Sequence, residues 1–587
     1  MSFNHPEKPT PKKLNKMIMY RKYSSIRISL IILLFIALFC TLSHHFYRTT
    51  LHSSTISTAA HSLSTALPPP PPPLRPPPAP EIVSLPNLPS PLPTLQSVST
   101  PILKAVSILI PDWEVLVIAS PENSILEPRN YTCVFSNKEK SPARFAGELP
   151  FRRGTAFKCE FPARNRRRLP FFQPQVVRTE ERERADISPP LKELLRWNFI
   201  VYDSFTTEND VVLLVKGVNN RQGVNRPPSD FNCLFDDDPL TAVKTSVTSS
   251  IQEVFRCLRP NIKGNRPIAA TLEILEDNRT VAVIPSLAKY VPDERLTVEF
   301  NESKSFICAC TMVYNVAKFL REWVIYHNNI GVEKFILYDN DSDDDLRSAV
   351  EELNREGFDV RTVYWAWPKT QEAGFSHCAL YSNQICNWVA FLDVDEFLFS
   401  PPWLESYRPK SDMLRSLLPK EGHDRPDRVG QVSIRCNEFG PSNLTAHPLD
   451  GVTQGYTCRR RIDQRHKSIV LLDALDNSLL NVIHHFKLKD DYKTSQIDPN
   501  QAIVNHYKYQ AWPEFQAKFR RRVSAYVIDW RQNLNPMSND RAPGLGFEAV
   551  EPPGWPQRFC EVQDDRMKVL TRRWFELNDS VMAWQSA

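Results

Sequence analysis

The chain has neither a G-x-G-x-x-G loop nor a Walker A loop in its 587 residues. Phosphate is therefore not cradled by a glycine-rich nest or gripped by a P-loop lysine. No C-x-x-C pair stands out among the 12 cysteines, which argues against a zinc site. Large net charge is missing too: 72 Lys and Arg against 67 Asp and Glu leave +5. That excess is too small to mark nucleic acid as the main partner. The runs Arg152-Arg153 and Arg166-Arg167-Arg168 read as solvated loops. No small-residue cleavage pattern follows the long apolar run at 28–43, ISLIILLFIALFCTLS.

That run reads as an uncleaved signal-anchor rather than a cleaved signal peptide, and with His44 to Tyr47 it reaches the roughly 20 residues a bilayer needs. Lys12, Lys13, Lys16, Arg21, Lys22 and Arg27 precede it and keep that end in the cytosol. The sequence thus predicts a cytosolic tail (1–27), a transmembrane signal-anchor (28–47) and a Ser/Thr- and Pro-rich stalk (48–103). Within the stalk, LPPPPPPLRPPPAP must be largely polyproline II, a semi-rigid spacer. Everything beyond is predicted to be lumenal. Sequons at Asn130, Asn278, Asn301, Asn443 and Asn578 agree with that topology. So do the 11 cysteines outside the anchor, which can pair in an oxidising lumen with at least one left over.

A chain this long needs two or more domains. Residues 104–290 read as a duplicated β unit. The first copy runs VLVIAS, YTCVFS, FKCEF and the second VVLLVKG, FNCLFD, FRCL. Matching positions predict the disulfides Cys133–Cys159 and Cys233–Cys257. Such a region binds carbohydrate or supports its neighbour.

From about 304 strands and helices alternate, an α/β signature. SFICACTMVY, KFILYDNDSDDD, DVRTVYW and WVAFLDVDEFLF are the strands, with helices between them. Ligands are expected at the carboxyl ends of such strands. Carboxylates stand there: Asp339 and Asp341 after one strand, Asp393 and Asp395 after another. With no glycine loop, a diphosphate can be held through a divalent ion that takes carboxylate and phosphate oxygens.

Three stretches carry a resemblance: CTMVYNVAKFLREWVIYHNNIGVEKFILYDNDSDDD, QEAGFSHCALYSNQICNWVAFLDVDEF and VNHYKYQAWPEFQAKFRRR. They resemble glycosyltransferase family 92, which includes the plant β-1,4-galactan synthases, over about residues 304–530. The resemblance implies a GT-A domain (304–540) behind the β-rich lumenal domain, with a C-terminal extension at 541–587. It also implies a UDP-sugar donor, galactose at best guess, a glycan or cell-wall polysaccharide acceptor, and a divalent metal, Mn²⁺ first. A Golgi membrane location follows, with a homodimer left open.

Matching residue to motif, Asp393 and Asp395 are the D-x-D that holds metal and diphosphate. Glu396 supports the turn or the sugar. Thr311, Asn315, Asp339 and Asn340 take the nucleotide, which predicts an unmodified Asn340-Asp-Ser sequon. His506 is the third metal ligand, with His485 as its rival. Lys467 neutralises the leaving diphosphate. Glu438 is the base that takes the acceptor proton, with Asp473 and Asp476 as rivals. Trp365 and Trp512 either stack on acceptor sugars or belong to the core. From another class, the rival reading is a non-catalytic lumenal carbohydrate-binding protein. A phosphoesterase would want more clustered ligands or a glycine loop.

Overall fold

A computed structural model describes residues 105–524 and 551–585, apart from segments such as 120–130, 180–191, 293–302 and 420–427. The anchor, the stalk and the sequons at Asn130, Asn278, Asn301 and Asn578 lie outside the described residues. Among the described residues no helix is long and apolar enough to cross a membrane.

The β-rich half is two sheets. The first comprises β1 (Ala105–Ile110), β2 (Glu114–Ala119), β3 (Tyr131–Val134), β4 (Lys140–Glu148), β5 (Thr155–Glu160), β6 (Gln175–Arg178) and β7 (Leu195–Arg196). The second comprises β8 (Ile200–Thr206), β9 (Asp210–Lys216), β10 (Phe231–Phe235), β11 (Val243–Ile251), β12 (Val254–Leu258), β13 (Ile268–Glu276) and β14 (Arg279–Val283), with β15 (Lys289–Tyr290) against β13. The orders are β6-β3-β4-β5-β2-β1-β7 and β14-β13-β10-β11-β12-β9-β8. Counted from its own first strand, each sheet contains the same order, 6-3-4-5-2-1. The disulfides occupy equivalent places: Cys133–Cys159 joins β3 to β5 and Cys233–Cys257 joins β10 to β12.

The α/β half opens with β16 (Ser305–Val313), α1 (Ala317–Asn329), β17 (Lys334–Asp339), α2 (Leu346–Arg355), β18 (Asp359–Tyr364), α3 (Gln371–Ser382) and β19 (Cys386–Phe391). It continues through β20 (Glu396–Phe399), β21 (Arg428–Glu438), α4 (Val452–Gly455), β22 (Cys458–Arg459), β23 (Arg465–Leu471), β24 (Asn481–Val482) and β25 (His485–Phe486). Then come β26 (Tyr492–Gln496), β27 (Ile503–His506), α5 (Trp512–Ser524) and α6 (Arg566–Phe575). The main sheet runs β18-β17-β16-β19-β23-β21-β27-β20, with β26 beside β21.

Side chains alternate across a strand, and here both faces are apolar. Ile307, Ala309, Phe335 and Leu337 share one core with α1 and α2. Cys308, Cys310, Ile336 and Tyr338 share the other with α3 and with Ile108, Leu116, Tyr202 and Leu214 of the β-rich half. That second core crosses the predicted boundary near residue 300, because α3 covers only part of the face and β1, β2, β8 and β9 cover the rest. The C-terminal boundary is crossed as well. Met567, Leu570, Phe575 and Trp584 of the predicted extension are buried in the first core.

Cys308–Cys386 ties β16 to β19, Cys310–Cys378 ties β16 to α3, and Cys458–Cys560 fastens the C-terminal segment. Cys436 is buried and free. Gly331 ends the α1 turn at φ +120, where a Cβ would stand 2.3 Å from the Ser411 carbonyl oxygen.

Glu322 of α1 is 3% exposed. It accepts hydrogen bonds from the backbone of Val452 (2.7 Å) and Thr453 (3.0 Å) and from the Thr453 hydroxyl (2.6 Å). Burial pushes its carboxyl up from 4.5 to about 7, against those hydrogen bonds. Between those values the unfolded chain ionises while the native state keeps its proton. This group's contribution to stability is therefore complete below 4.5 and lost as pH rises through 7. Urea unfolding from pH 4.5 to 8 is expected to show the wild-type advantage over Glu322→Gln shrinking up to about pH 7 and levelling above it. Parallel curves would contradict this.

Candidate functional site

The four parallel strands lie in the order β18-β17-β16-β19. Successive crossovers run from β16 to β18, and the chain then returns to β19 on the other side of β16. Ligands of open α/β sheets bind outside the carboxyl ends at such a reversal. A cleft of about 1450 Å³ opens there, lined by Tyr314 and Asn315 after β16, Asn340 and Asp341 after β17, and Asp393, Val394 and Asp395 after β19.

In FLDVDEF the apolar residues do the anchoring: Phe391, Leu392, Val394 and Phe397 are all buried. β19 ends at Phe391, the chain turns, and β20 starts at Glu396. β20 pairs antiparallel with β27, which sets Glu396 opposite His506. Asp395, Glu396 and His506 therefore each offer a ligand atom, all within 4.8 Å of one another. Two carboxylates and an imidazole suit a divalent ion such as manganese or magnesium. Burial, with the nearby Lys467 and Lys508, lowers His506 to about 3 against the pull of Asp395, so the imidazole is neutral, as a ligand must be. The residues present fit such an ion.

The trio does not include Asp393, the other member of the D-x-D, which lines the same cleft beside Asp395. Asp393 Oδ2 accepts from Lys467 Nζ at 2.9 Å, and its backbone N–H donates to Glu396 Oε2 at 2.9 Å. Lys467 also stands 2.8 Å from Glu396 Oε1 and donates to His484 Nε2 at 2.7 Å. One ammonium cannot neutralise two carboxylates equally. Asp393 keeps its charge, held low against burial by Lys467. Glu396, fully buried beside Asp393 and Asp395, is pushed up to about 8, so it has to give up that proton to serve as a ligand. Lys467 does not line the cleft; it lies beneath it, so its predicted role on the leaving diphosphate is replaced by one in the floor.

Glu438 is brought next to the site but not into it. β21 pairs with β27 so that Glu438 faces His506. Its side chain is 0% exposed and paired with Lys508 (2.8 Å), Arg460 (3.2 Å) and Arg465 (3.9 Å). Burial opposes its ionisation, but Lys508, His506 and Arg465 outweigh it and hold the carboxyl low. A buried, cation-locked carboxylate is a poor proton acceptor, which speaks against Glu438 as the base. What Glu438 does is hold Lys508 and Arg465, which line the cleft together with Lys518. Lys518 donates to Asp395 Oδ2 at 3.1 Å.

Thr311 is 0% exposed within β16 and cannot reach a nucleotide. Asp339 is turned to the Ser342 N–H at 2.9 Å, and burial raises its carboxyl. Asn315 and Asn340 do line the cleft. Asn340 Nδ2 donates to the Trp365 carbonyl at 2.7 Å. Asn443 is exposed at the surface. His485 sits beside His466 and is not among the residues that line the cleft. Asp473 and Asp476 do not line the cleft. Trp365 (0% exposed) and Trp512 (9%) are core residues.

Sequence reasoning missed Glu396 as a group that could hold an ion, the cations Arg465, Lys508 and Lys518, and the wall supplied by the β-rich half, where Arg144, Lys158 and Glu160 line the same cleft. Composition carried no sign of these. Their proximity comes from strand register between segments far apart in the chain.

Residues 303–541 match the model of glycosyltransferase family 92. A family 92 protein of Ricinus communis is 37% identical over 503 residues, 82% of this chain and 85% of its own length. One of Arabidopsis thaliana is 42% identical over 383 residues, 64% of this chain and 66% of the relative. Among solved structures, a mannosyltransferase from Pyrobaculum calidifontis in complex with GDP-Man and Mn²⁺ is 12% identical, with a TM-score of 0.24 over 46% of this chain and 70% of that one. That likeness is too distant to weigh. The long match to the Ricinus protein is not, and with it the chain belongs to glycosyltransferase family 92.

Proposed function

We propose that this chain transfers galactose from a UDP-sugar to a growing cell-wall polysaccharide or glycoprotein glycan, with inversion, on a GT-A-type sheet. The observation that carries the reading is the trio Asp395, Glu396 and His506 at the reversal point of the sheet, beside a cleft lined with cations. Membership of a glycosyltransferase family supports it.

Asp395, Glu396 and His506 would hold the ion, with manganese first in expectation. When bound, it supplies positive charge to the departing diphosphate. Lys508, Arg465 and Lys518 line the same cleft and add charge there. Glu438 pre-positions Lys508, so little reorganisation is needed as the leaving group develops charge. Asn315 and Asn340 lie where the nucleoside of a donor would rest. The segment 28–47 would anchor the chain in the Golgi membrane with this half lumenal.

The test is turnover of a UDP-sugar panel by the full chain in detergent. UDP-galactose with Mn²⁺ is expected to be consumed, and EDTA to lower the rate by at least ~10²-fold, with Mn²⁺ restoring it. No turnover of any donor, or turnover indifferent to EDTA, would overturn the reading.

A further inference from the structure

The acidic loop after β17 is held from two sides. On one side the loop after β16 grips it: the Asn315 N–H donates to Ser342 Oγ at 3.0 Å, the Asp343 N–H to Asn315 Oδ1 at 2.9 Å, and the Ala317 N–H to Asp344 Oδ2 at 2.8 Å. These contacts are local to the α/β half. The other grip comes from outside it. Lys158 of β5 donates to Asp341 Oδ2 at 2.6 Å, and Arg144 of β4 donates to the same oxygen at 3.0 Å.

The second grip is buried at Lys158 and half open at Arg144, whose side chain is 49% exposed. The Lys158 side chain is 9% exposed and that of Asp341 15%. Burial opposes ionisation of Asp341, but Lys158 and Arg144 outweigh it and hold the carboxyl below its ordinary value. Asp341 also holds a positive φ of 69, in the left-handed region that aspartate enters more readily than most residues with a side chain. The Tyr364 hydroxyl donates to its other oxygen at 3.4 Å. The Tyr364 ring lies so close to β4 that a Cβ on Gly147 would stand 2.5 Å from it. Asp341, Arg144 and Lys158 all line the cleft that contains Asp395.

We propose that Arg144 and Lys158 are positioning residues. From the first β-rich sheet they set the place of loop 340–345, and so the affinity of the cleft for the nucleotide part of the donor. The β-rich half is then a working wall of the site rather than a detachable module. This rests on the donor reading above.

The experiment compares wild type with Lys158→Met, Lys158→Arg and Asp341→Asn, and with Lys158→Met in the Asp341→Asn background, as full chains. It reads donor KM and kcat, UDP affinity by calorimetry, and hydrogen exchange over 340–345. Lys158→Met is expected to raise donor KM and weaken UDP binding about tenfold. kcat should change less than twofold, and exchange in the loop should quicken. Lys158→Arg should restore KM, and Lys158→Met should add little once Asp341 is Asn. KM and UDP affinity within twofold of wild type in Lys158→Met would overturn the proposal. So would a fall in kcat and folded fraction together at constant KM. If wild type neither turns over a donor nor binds UDP, the donor reading fails and takes the proposal with it. If wild type is active and Lys158→Met matches it, only the proposal fails.

Discussion

Asp395→Ala is expected to lower donor turnover by about 10²–10³-fold, or ~3–4 kcal/mol of transition-state stabilisation, while leaving the fold intact. Asp395 is the member of the metal-capable trio that stands in the turn itself, 12% exposed, between Lys518 and His506. The bond that fixes the turn uses its backbone carbonyl, which accepts from the Tyr507 N–H at 2.8 Å, and alanine keeps it. Lys518 is 27% exposed and can turn to water once its partner is gone. The loss should therefore be chemical rather than structural. Steady-state kinetics beside a thermal melt decide it: a variant with normal melting and near-normal turnover would remove Asp395 from the reaction.

Lys467→Met should do the opposite, and destabilise the protein by ~3–5 kcal/mol. Lys467 is 5% exposed and pairs Asp393 and Glu396 at once. Methionine fills its volume but leaves Glu396, with a fully buried side chain, without that cation. Glu396 can relieve part of the strain by taking a proton, which it already holds up to about pH 8. Ionising it without Lys467 is what costs most. The deficit of the variant should therefore grow as pH rises through 8 and shrink below it. Denaturant titrations at pH 6 and pH 9 measure the two ends. Equal deficits at both would show that Glu396 does not carry the effect.

These two residues mark where sequence reading stops. The strand that ends in Asp393 and Asp395 was legible because an apolar run breaks into carboxylates, and a run of strands and helices placed that break at a carboxyl edge. The cysteine pairs of the β-rich sheets were legible because they recur at matching positions. Glu396 was not, since its role depends on the antiparallel register that sets it opposite His506, 110 positions later. Lys467 lies in a basic neighbourhood, and no spacing says that its ammonium faces Asp393 or that Lys508 faces Glu438. Glu438 itself read as a base because it sits between turn-like segments. Only its full burial under three cations shows that it holds Lys508 and Arg465 in place. The packing between the halves was not legible for a related reason: local pattern separates β-rich from α/β sequence, while the core that joins them is made of contacts between β1, β2, β8, β9 and the far face of β16 and β17.

The most direct measurement is manganese binding by the purified full chain, followed by electron paramagnetic resonance with and without UDP. One ion bound per chain is expected, held more tightly with UDP present, and lost in Asp395→Ala and in His506→Ala. No bound ion, or one that binds Asp395→Ala as well as wild type, would contradict a metal-held donor in this cleft.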